Sequence, residues 1–287
     1  MKNKLTLILL LALLLAGCGG ATNENKNTGS QVTGINNSTF TSPLEGVTTA
    51  SIAINAPFEK AFISPLAESD NLIEAEVEHM GEMIFSEQDD TITLREDASG
   101  ISYEGDKPLR WNVLVSPDPA LALNLRTASG ELTLDASNLK LSSLVLDSSS
   151  GTIDADLPAT ADAIKTEIDL ASGAITVNMP DNAKVDFSRV KTSSGTVTLN
   201  IGADATVNLA DIDIASGRVV VDVPTDTPVR LEIQEVASGT VNIAYRMVRL
   251  TGTASDEGIW ETENYEDAEN RITIIVTHIS SGTFELE

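Results

Sequence analysis

A three-residue corner written at a fixed interval leaves this chain very few folds to choose from. A small residue, a serine and a glycine recur, with the glycines at Gly130, Gly151, Gly173, Gly195, Gly217, Gly239 and Gly282. The intervals are 21, then 22 four times, then 43. The last is close to two periods, which predicts that one corner is missing or replaced. Self-similarity at such a period marks a repeat architecture. The second, fourth and sixth residues after each glycine are mostly apolar, as in Ile175, Val177, Met179 and Val197, Leu199, Ile201. Thr, Asp, Asn and Glu stand between them. That alternation predicts a strand with one buried face. Pro158, Pro180, Gly202 or Pro224 then ends the run, because proline cannot donate to a ladder and glycine weakens one. Two further apolar stretches, such as Val185–Phe187 and Ile168–Leu170, return the chain to the next corner. No sustained helical stripe follows Leu15.

The pattern predicts an all-β fold: a right-handed parallel β-helix, or β-solenoid, with coils of about 22 residues. Each strand pairs with its counterpart one coil away, at a spacing of about 4.8 Å. The right hand follows from the preference of parallel crossovers. The corner glycine is expected to supply φ > 0. The residue two before it (Ala128, Ser149, Ala171, Ser193, Ala215, Ala237, Ser280) is expected to point into a narrow apex. The serines between them are read as a structural turn ladder rather than a ligand strip.

Residues 1–17 read as a signal peptide, with Lys2 and Lys4 before an apolar run ending Leu15-Ala16-Gly17-Cys18. That ending resembles the lipobox of bacterial lipoproteins. The resemblance implies that Cys18 is diacylated (palmitate-type chains) and becomes the new N-terminus. It places the protein in a bacterial envelope: the outer membrane of a Gram-negative cell, or the outer face of a Gram-positive cell membrane. Cys18 is the sole cysteine, so no intramolecular disulfide forms. Residues 18–48 are rich in Asn, Thr, Ser and Gly and read as a flexible linker. Residues 49–287 are assigned to the solenoid, with an irregular N-terminal cap over 49–123 and Trp111 buried near the junction.

With 43 acidic against 18 basic residues and a net charge of −25, the chain lacks the basic footprint that nucleic acid requires. Divalent cations are the small partners such a charge favours. An apolar content of 41% supports a core rather than disorder.

The repeated [A/S]-S-G-x-[I/V]-x-[V/L] segments behind a lipobox resemble the bacterial putative-adhesin β-strand-repeat domains. These are close to the toast-rack domains and to the C-terminal domain of LiaF-type envelope-stress proteins. The resemblance runs from about Thr49 to Glu287. It rests most on Leu123–Gly130 with Leu132 and Leu134, and on Gly258-Ile259-Trp260, Tyr265, Ala268, Ile272-Thr273-Ile274 and Gly282. It implies a β-helix at the cell envelope and no catalytic site.

Three features invite a site. Asp135, Asp156, Asn178, Asn200 and Asp222 stand five residues after their glycines and form one outward column. Like charges one rung apart repel, so a Ca²⁺ column competes with a solvated polar face. Trp260 and Tyr265 lie in an acidic interruption, Thr251 to Asn270, read either as a ligand-binding loop or as aromatics packed over the core. His79 and His278 have no metal-site spacing, and His278 is expected in a solvated column. No nucleophile elbow, Walker or dinucleotide motif occurs. The reading is therefore a non-enzymatic, membrane-anchored lipoprotein for surface binding, adhesion or scaffolding, with an envelope protein or a glycan as partner. An envelope-stress sensor or regulator is the alternative.

Overall fold

The computed structural model describes residues 34–100, 108–252 and 256–287, and every regular element in them is a strand. The N-terminal part holds β1 (Asn36–Pro43), β2 (Thr49–Asn55), β3 (Lys60–Pro65), β4 (Asn71–His79), β5 (Glu82–Gln88), β6 (Thr91–Asp97) and β7 (Arg110–Val115). The repeats follow as β8 (Ala120–Thr127), β9 (Glu131–Asp135), β10 (Lys140–Ser148), β11 (Thr152–Asp156), β12 (Ile164–Leu170), β13 (Ala174–Met179), β14 (Lys184–Thr192), β15 (Thr196–Ile201), β16 (Thr206–Ile214) and β17 (Arg218–Asp222). The last are β18 (Val229–Ile233), β19 (Thr240–Ile243), β20 (Val248–Thr251), β21 (Gly258–Glu261), β22 (Ile272–Ile279) and β23 (Thr283–Leu286).

Each repeat is one long strand, a serine-glycine corner, and one short strand. The long strands stack in one sheet and the short strands in another, and the repeats pair in parallel. Alternation turns one face of each strand inward. Val185, Phe187, Val190, Ile175, Val177 and their equivalents meet between the sheets and are buried. Identical columns stack on identical columns: Ile153 on Ile175, Ile175 on Val197, Val197 on Val219.

The second and third apolar stretches of a repeat turn out to be one strand, unbroken in β8 and β12 and bulged in β10, β14, β16 and β22. In β14 the alternation slips at Ser188–Arg189, and in β10 at Ser142–Ser143, so apolar residues on both sides still point inward. The extra residue disrupts the ladder locally. Hydroxyls repair it: Ser142 donates to the Leu121 carbonyl at 2.9 Å, Ser188 to Thr166 at 3.3 Å and Thr277 to Ile212 at 3.0 Å.

The corner glycine is needed for a different reason from the one expected. Of the repeat corners, only Gly173 has a positive φ, at 84°. At Gly151, Gly217 and Gly282 a Cβ would collide with the carbonyl oxygen of the glycine one rung away (Gly130, Gly195 and Gly217). Close stacking of backbone on backbone therefore excludes a side chain. The left-handed non-glycine residues of the repeats sit at the opposite turn, where Asn182, Asp204 and Asp226 have φ of 60°, 54° and 71°. Asn and Asp tolerate that region better than other side chains. The small residue two before the glycine is also misassigned by sequence. Ala128, Ser149, Ala171 and Ala215 are exposed, and the apex is filled by the preceding residue: Thr127, Ser148, Leu170, Thr192, Ile214 and Ile279. The serine ladder is a backbone ladder, with Ser150 N–H donating to Ala128 O, Ser194 to Ala171 and Ser216 to Ser193.

The coils do not stack in chain order at either end. In the short-strand sheet β23 lies between β17 and β19, and in the long-strand sheet β22 lies between β16 and β18. Gly282 is therefore the rung between Gly217 and Gly239: Thr283 N–H donates to Gly217 O and Thr240 N–H to Gly282 O, both at 2.9 Å. No corner is missing; the interval of 43 reflects an excursion and return. At the other end β2–β3 lies between β8–β9 and β6–β7. Pro57-Phe58-Glu59 occupies the corner there, and Glu131 N–H donates to Glu59 O at 2.9 Å. Among the described residues of 49–123, β2–β3 and β6–β7 are thus rungs of the same two sheets, out of sequence order, rather than an irregular cap, and β4 and β5 pair antiparallel beyond them. Trp111 is buried as expected, with Nε1–H donating to Glu78 O at 3.1 Å.

The linker also ends earlier than its composition suggests. Asn36–Pro43 is β1, antiparallel to β4 at the sheet edge, and Phe40 stacks on Phe85 with ring centroids 5.1 Å apart. A single inward aromatic among Asn, Ser and Thr gives this edge strand too little apolar alternation to read as one.

Candidate functional site

The long outer face of the short-strand sheet carries the most regular chemistry. Parallel register sets Thr133, Asp154, Thr176, Thr198 and Val220 in one row, and Asp135, Asp156, Asn178, Asn200 and Asp222 in the next. The second row is the column read from sequence. Asn178 Nδ2 donates to Asp156 Oδ1 at 2.8 Å and to Asp154 Oδ1 at 3.1 Å, and Asn200 Nδ2 donates to Asn178 Oδ1 at 2.7 Å. Asp135 accepts from the backbone N–H and hydroxyl of Ser137, at 3.0 and 2.6 Å. The Asn178 amide thus relieves Asp154 and Asp156, and Ser137 relieves Asp135, the arrangement of a polar face with Asn interleaved among its carboxylates. Among the described residues no group of three or more His, Cys, Asp or Glu side chains is placed to hold a metal.

Asn178→Asp tests this account. It sets a third carboxylate beside Asp154 and Asp156, and its expected cost is about 1 kcal/mol at low salt. The loss should shrink at high ionic strength, where exposed charges are screened. Urea melts at two salt concentrations read both effects.

Tyr265 is not a ligand-facing residue. Its ring is buried, its hydroxyl meets Thr273 Oγ1 at 2.8 Å, and the Arg271 guanidinium lies over the ring at 5.1 Å. Trp260 is half-buried on β21, packed against the core with the Arg249 guanidinium 5.0 Å from its ring. The aromatics of the acidic interruption therefore cover the end of the core. His278 is half-exposed in its column, with Nδ1 3.4 Å from Asp213. His79 is buried, with Nε2 2.9 Å from Ser38 Oγ and Nδ1 2.9 Å from Gly81 O, tying β1 to the β4–β5 turn. Cys18 lies outside the described residues.

One pair escapes the sequence altogether. Glu59 and Glu96 are buried at 1% and 4% exposure, on adjacent rungs of the apex. Glu96 Oε1 accepts from the Met80 N–H at 2.9 Å and from the Gly81 N–H. Glu59 Oε2 accepts from the Phe58 N–H at 3.0 Å. Glu59 Oε1 and Glu96 Oε2 are buried with no N–H or O–H donor. A Glu59 that keeps its proton can donate to the Glu96 carboxyl. Burial pushes Glu59 up to about 9, and the hydrogen bond and charge of Glu96 add to the rise. On the outer face, Arg218 holds Glu285 below the ordinary carboxylate range, and Asn242 Nδ2 donates to it at 3.1 Å.

Two sheets of parallel stacked rungs with matching rows and short corners define a β-solenoid domain. The chain belongs to the family described as the N-terminal domain of toast-rack proteins, DUF2154, whose sequence pattern matches residues 28–178, just over half of the chain. Among solved structures, it is similar to one described as a "putative cell adhesion protein" from Clostridium sporogenes, with 16% identity, TM-score 0.49, and coverage of 88% of this chain and 99% of that one. It is also similar to one described as a "putative adhesin" from Bacteroides fragilis, at 12% identity and TM-score 0.32, covering 89% of this chain and 98% of that one. No curated protein matches it.

Proposed function

We propose that this chain is a non-enzymatic surface-binding domain held at the bacterial envelope by lipidated Cys18. The observation that carries the proposal is the outer face of the short-strand sheet. Its rows of Thr, Asn and Asp repeat in register at the ladder spacing of about 4.8 Å, on a support stiffened by two parallel ladders. A repeating array of hydroxyl and amide groups suits a repeating polar partner, and an envelope glycan has that chemistry. The negative charge argues against anionic lipid as the surface bound, so the acyl chains rather than the domain hold the membrane.

The test uses the soluble chain from Gly19 onward and isolated envelope glycan. Thr176→Arg with Thr198→Arg, in the middle of the face, is expected to weaken retention at least tenfold, a loss of about 1.4 kcal/mol. Lys165→Glu, on the outer face of the other sheet, is expected to leave it unchanged. Equal retention by all three proteins overturns the reading. Retention by envelope membrane protein instead of glycan would favour the envelope-stress regulator.

A further inference from the structure

The stacking order at the C-terminal end has a consequence for how two copies meet. The strand pair β22–β23 comes after β18–β19 in the chain, yet lies inside it in the stack. Its partners on one side are β16 and β17, and on the other β18 and β19. Ile272, Ile274, Val276, Ile279, Phe284 and Leu286 fill the interior from this rung and are fully buried. The coil that covers the pair is therefore made earlier in the chain than the pair it covers. Either it forms over a vacant rung, or it lifts to admit the rung later. Both routes pass through a slot open in both sheets.

Nothing in the repeat spacing closes that slot to other occupants. Gly217 and Gly239 are 22 residues apart, the interval that elsewhere separates adjacent rungs. Here they are two rungs apart with Gly282 between them. What holds the pair is ladder hydrogen bonds and columnar apolar contact, and every copy of the chain carries the same donors, acceptors and columns. The segment between β21 and β22 is acidic, with Glu263, Glu266, Asp267 and Glu269 at its surface, and it is tied down by the buried Thr262 and Tyr265, which exchange must release. Charge repulsion favours its extension. Fully extended, its ten or so residues reach roughly 30–35 Å.

We propose that the slot between β16–β17 and β18–β19 also accepts β22–β23 from a second copy, so that two chains join by exchanging residues 272–286. The ladder bonds and apolar columns of the inserted rung are reproduced between the chains, whereas the Tyr265 contact with Thr273 is given up when the connecting segment extends. Only the connecting segment changes course, which makes exchange a low-cost route to a dimer. The exchange is independent of what the outer face binds.

Single-cysteine chains test it, each also carrying Cys18→Ser. Asp213 and His278 are register partners across the inserted rung, and Lys191 and Asp213 are partners across an uninterrupted one. A mixture of D213C chains with H278C chains is warmed at high concentration below unfolding, cooled, and treated with a short bismaleimide. The proposal expects a crosslinked heterodimer here. A mixture of K191C with D213C chains is expected to give none. The double variant D213C/H278C, which crosslinks within one chain, shows that the chemistry reaches. If that control reacts and the D213C plus H278C mixture stays monomeric, or if both mixtures crosslink equally, the exchange is wrong.

Discussion

Gly217→Ala is expected to destabilise the protein by about 3 kcal/mol, in the upper range for overpacking a closely packed interior. In a domain of this size that is a fall in Tm of roughly 6–12 °C. The added Cβ meets the Gly195 carbonyl oxygen and also Thr192, whose Oγ1 is 2.6 Å away and Cγ2 2.9 Å. The rung cannot shift to make room. Arg218 N–H donates to Gly195 O on one side, and Thr283 N–H donates to Gly217 O on the other, both at 2.9 Å. Moving one rung stretches both ladders. Gly34→Ala is the control, because a Cβ there meets nothing within 4 Å. It should change stability by less than about 0.5 kcal/mol. Thermal unfolding of the soluble chain reads both. If Gly217→Ala melts with the parent, the corner glycines are not set by close stacking.

Glu59→Gln should stabilise the protein at neutral and mildly alkaline pH and flatten part of its pH dependence. The folded state keeps the Glu59 proton up to about 9, whereas its ordinary value is 4.5. Below pH 4.5 the carboxyl is protonated folded or unfolded, and costs nothing. As pH rises from there, the unfolded chain ionises while the folded one stays protonated, so folding holds the extra proton and stability falls. The fall levels off once pH passes the folded value. Glutamine has no proton to lose, and its amide can donate to the unpartnered Glu96 oxygen. The expected gain grows by up to about 1.4 kcal/mol per pH unit above 4.5 and shrinks to near zero at pH 4. The many other carboxylates also repel one another as pH rises, so the informative quantity is the difference between the two proteins. Parallel stability curves from pH 5 to 8 would show that Glu59 is ionised when folded.

Much of the architecture was legible because a stacked coil must repeat its own chemistry. Ile175 and Val197 occupy the same column since each packs against the other, and period-two alternation exposes that column directly in the sequence. The polar row from Asp135 to Asp222 was legible for the same reason. Its chemistry was not, because the hydrogen bonds of Asn178 to Asp154 and Asp156 depend on which way an amide turns. Trp260 and Tyr265 were legible as the aromatics of an acidic interruption, but that position alone does not separate a binding loop from a cover over the core. The bulges at Ser142 and Ser188 looked like breaks between strands, since an extra residue interrupts alternation whether or not the strand continues.

The sequence by itself determined the all-β class, the coil length, the inward columns and the positions of the corners, because each is a local pattern that every coil must satisfy. Only the tertiary structure decided which coil lies against which. Coils with matching columns are nearly interchangeable as neighbours, so spacing alone does not distinguish Gly239 from Gly282 as the rung above Gly217. That order settles where β2–β3 and β22–β23 are enclosed, and it alone brings Glu59 and Glu96 together at the apex.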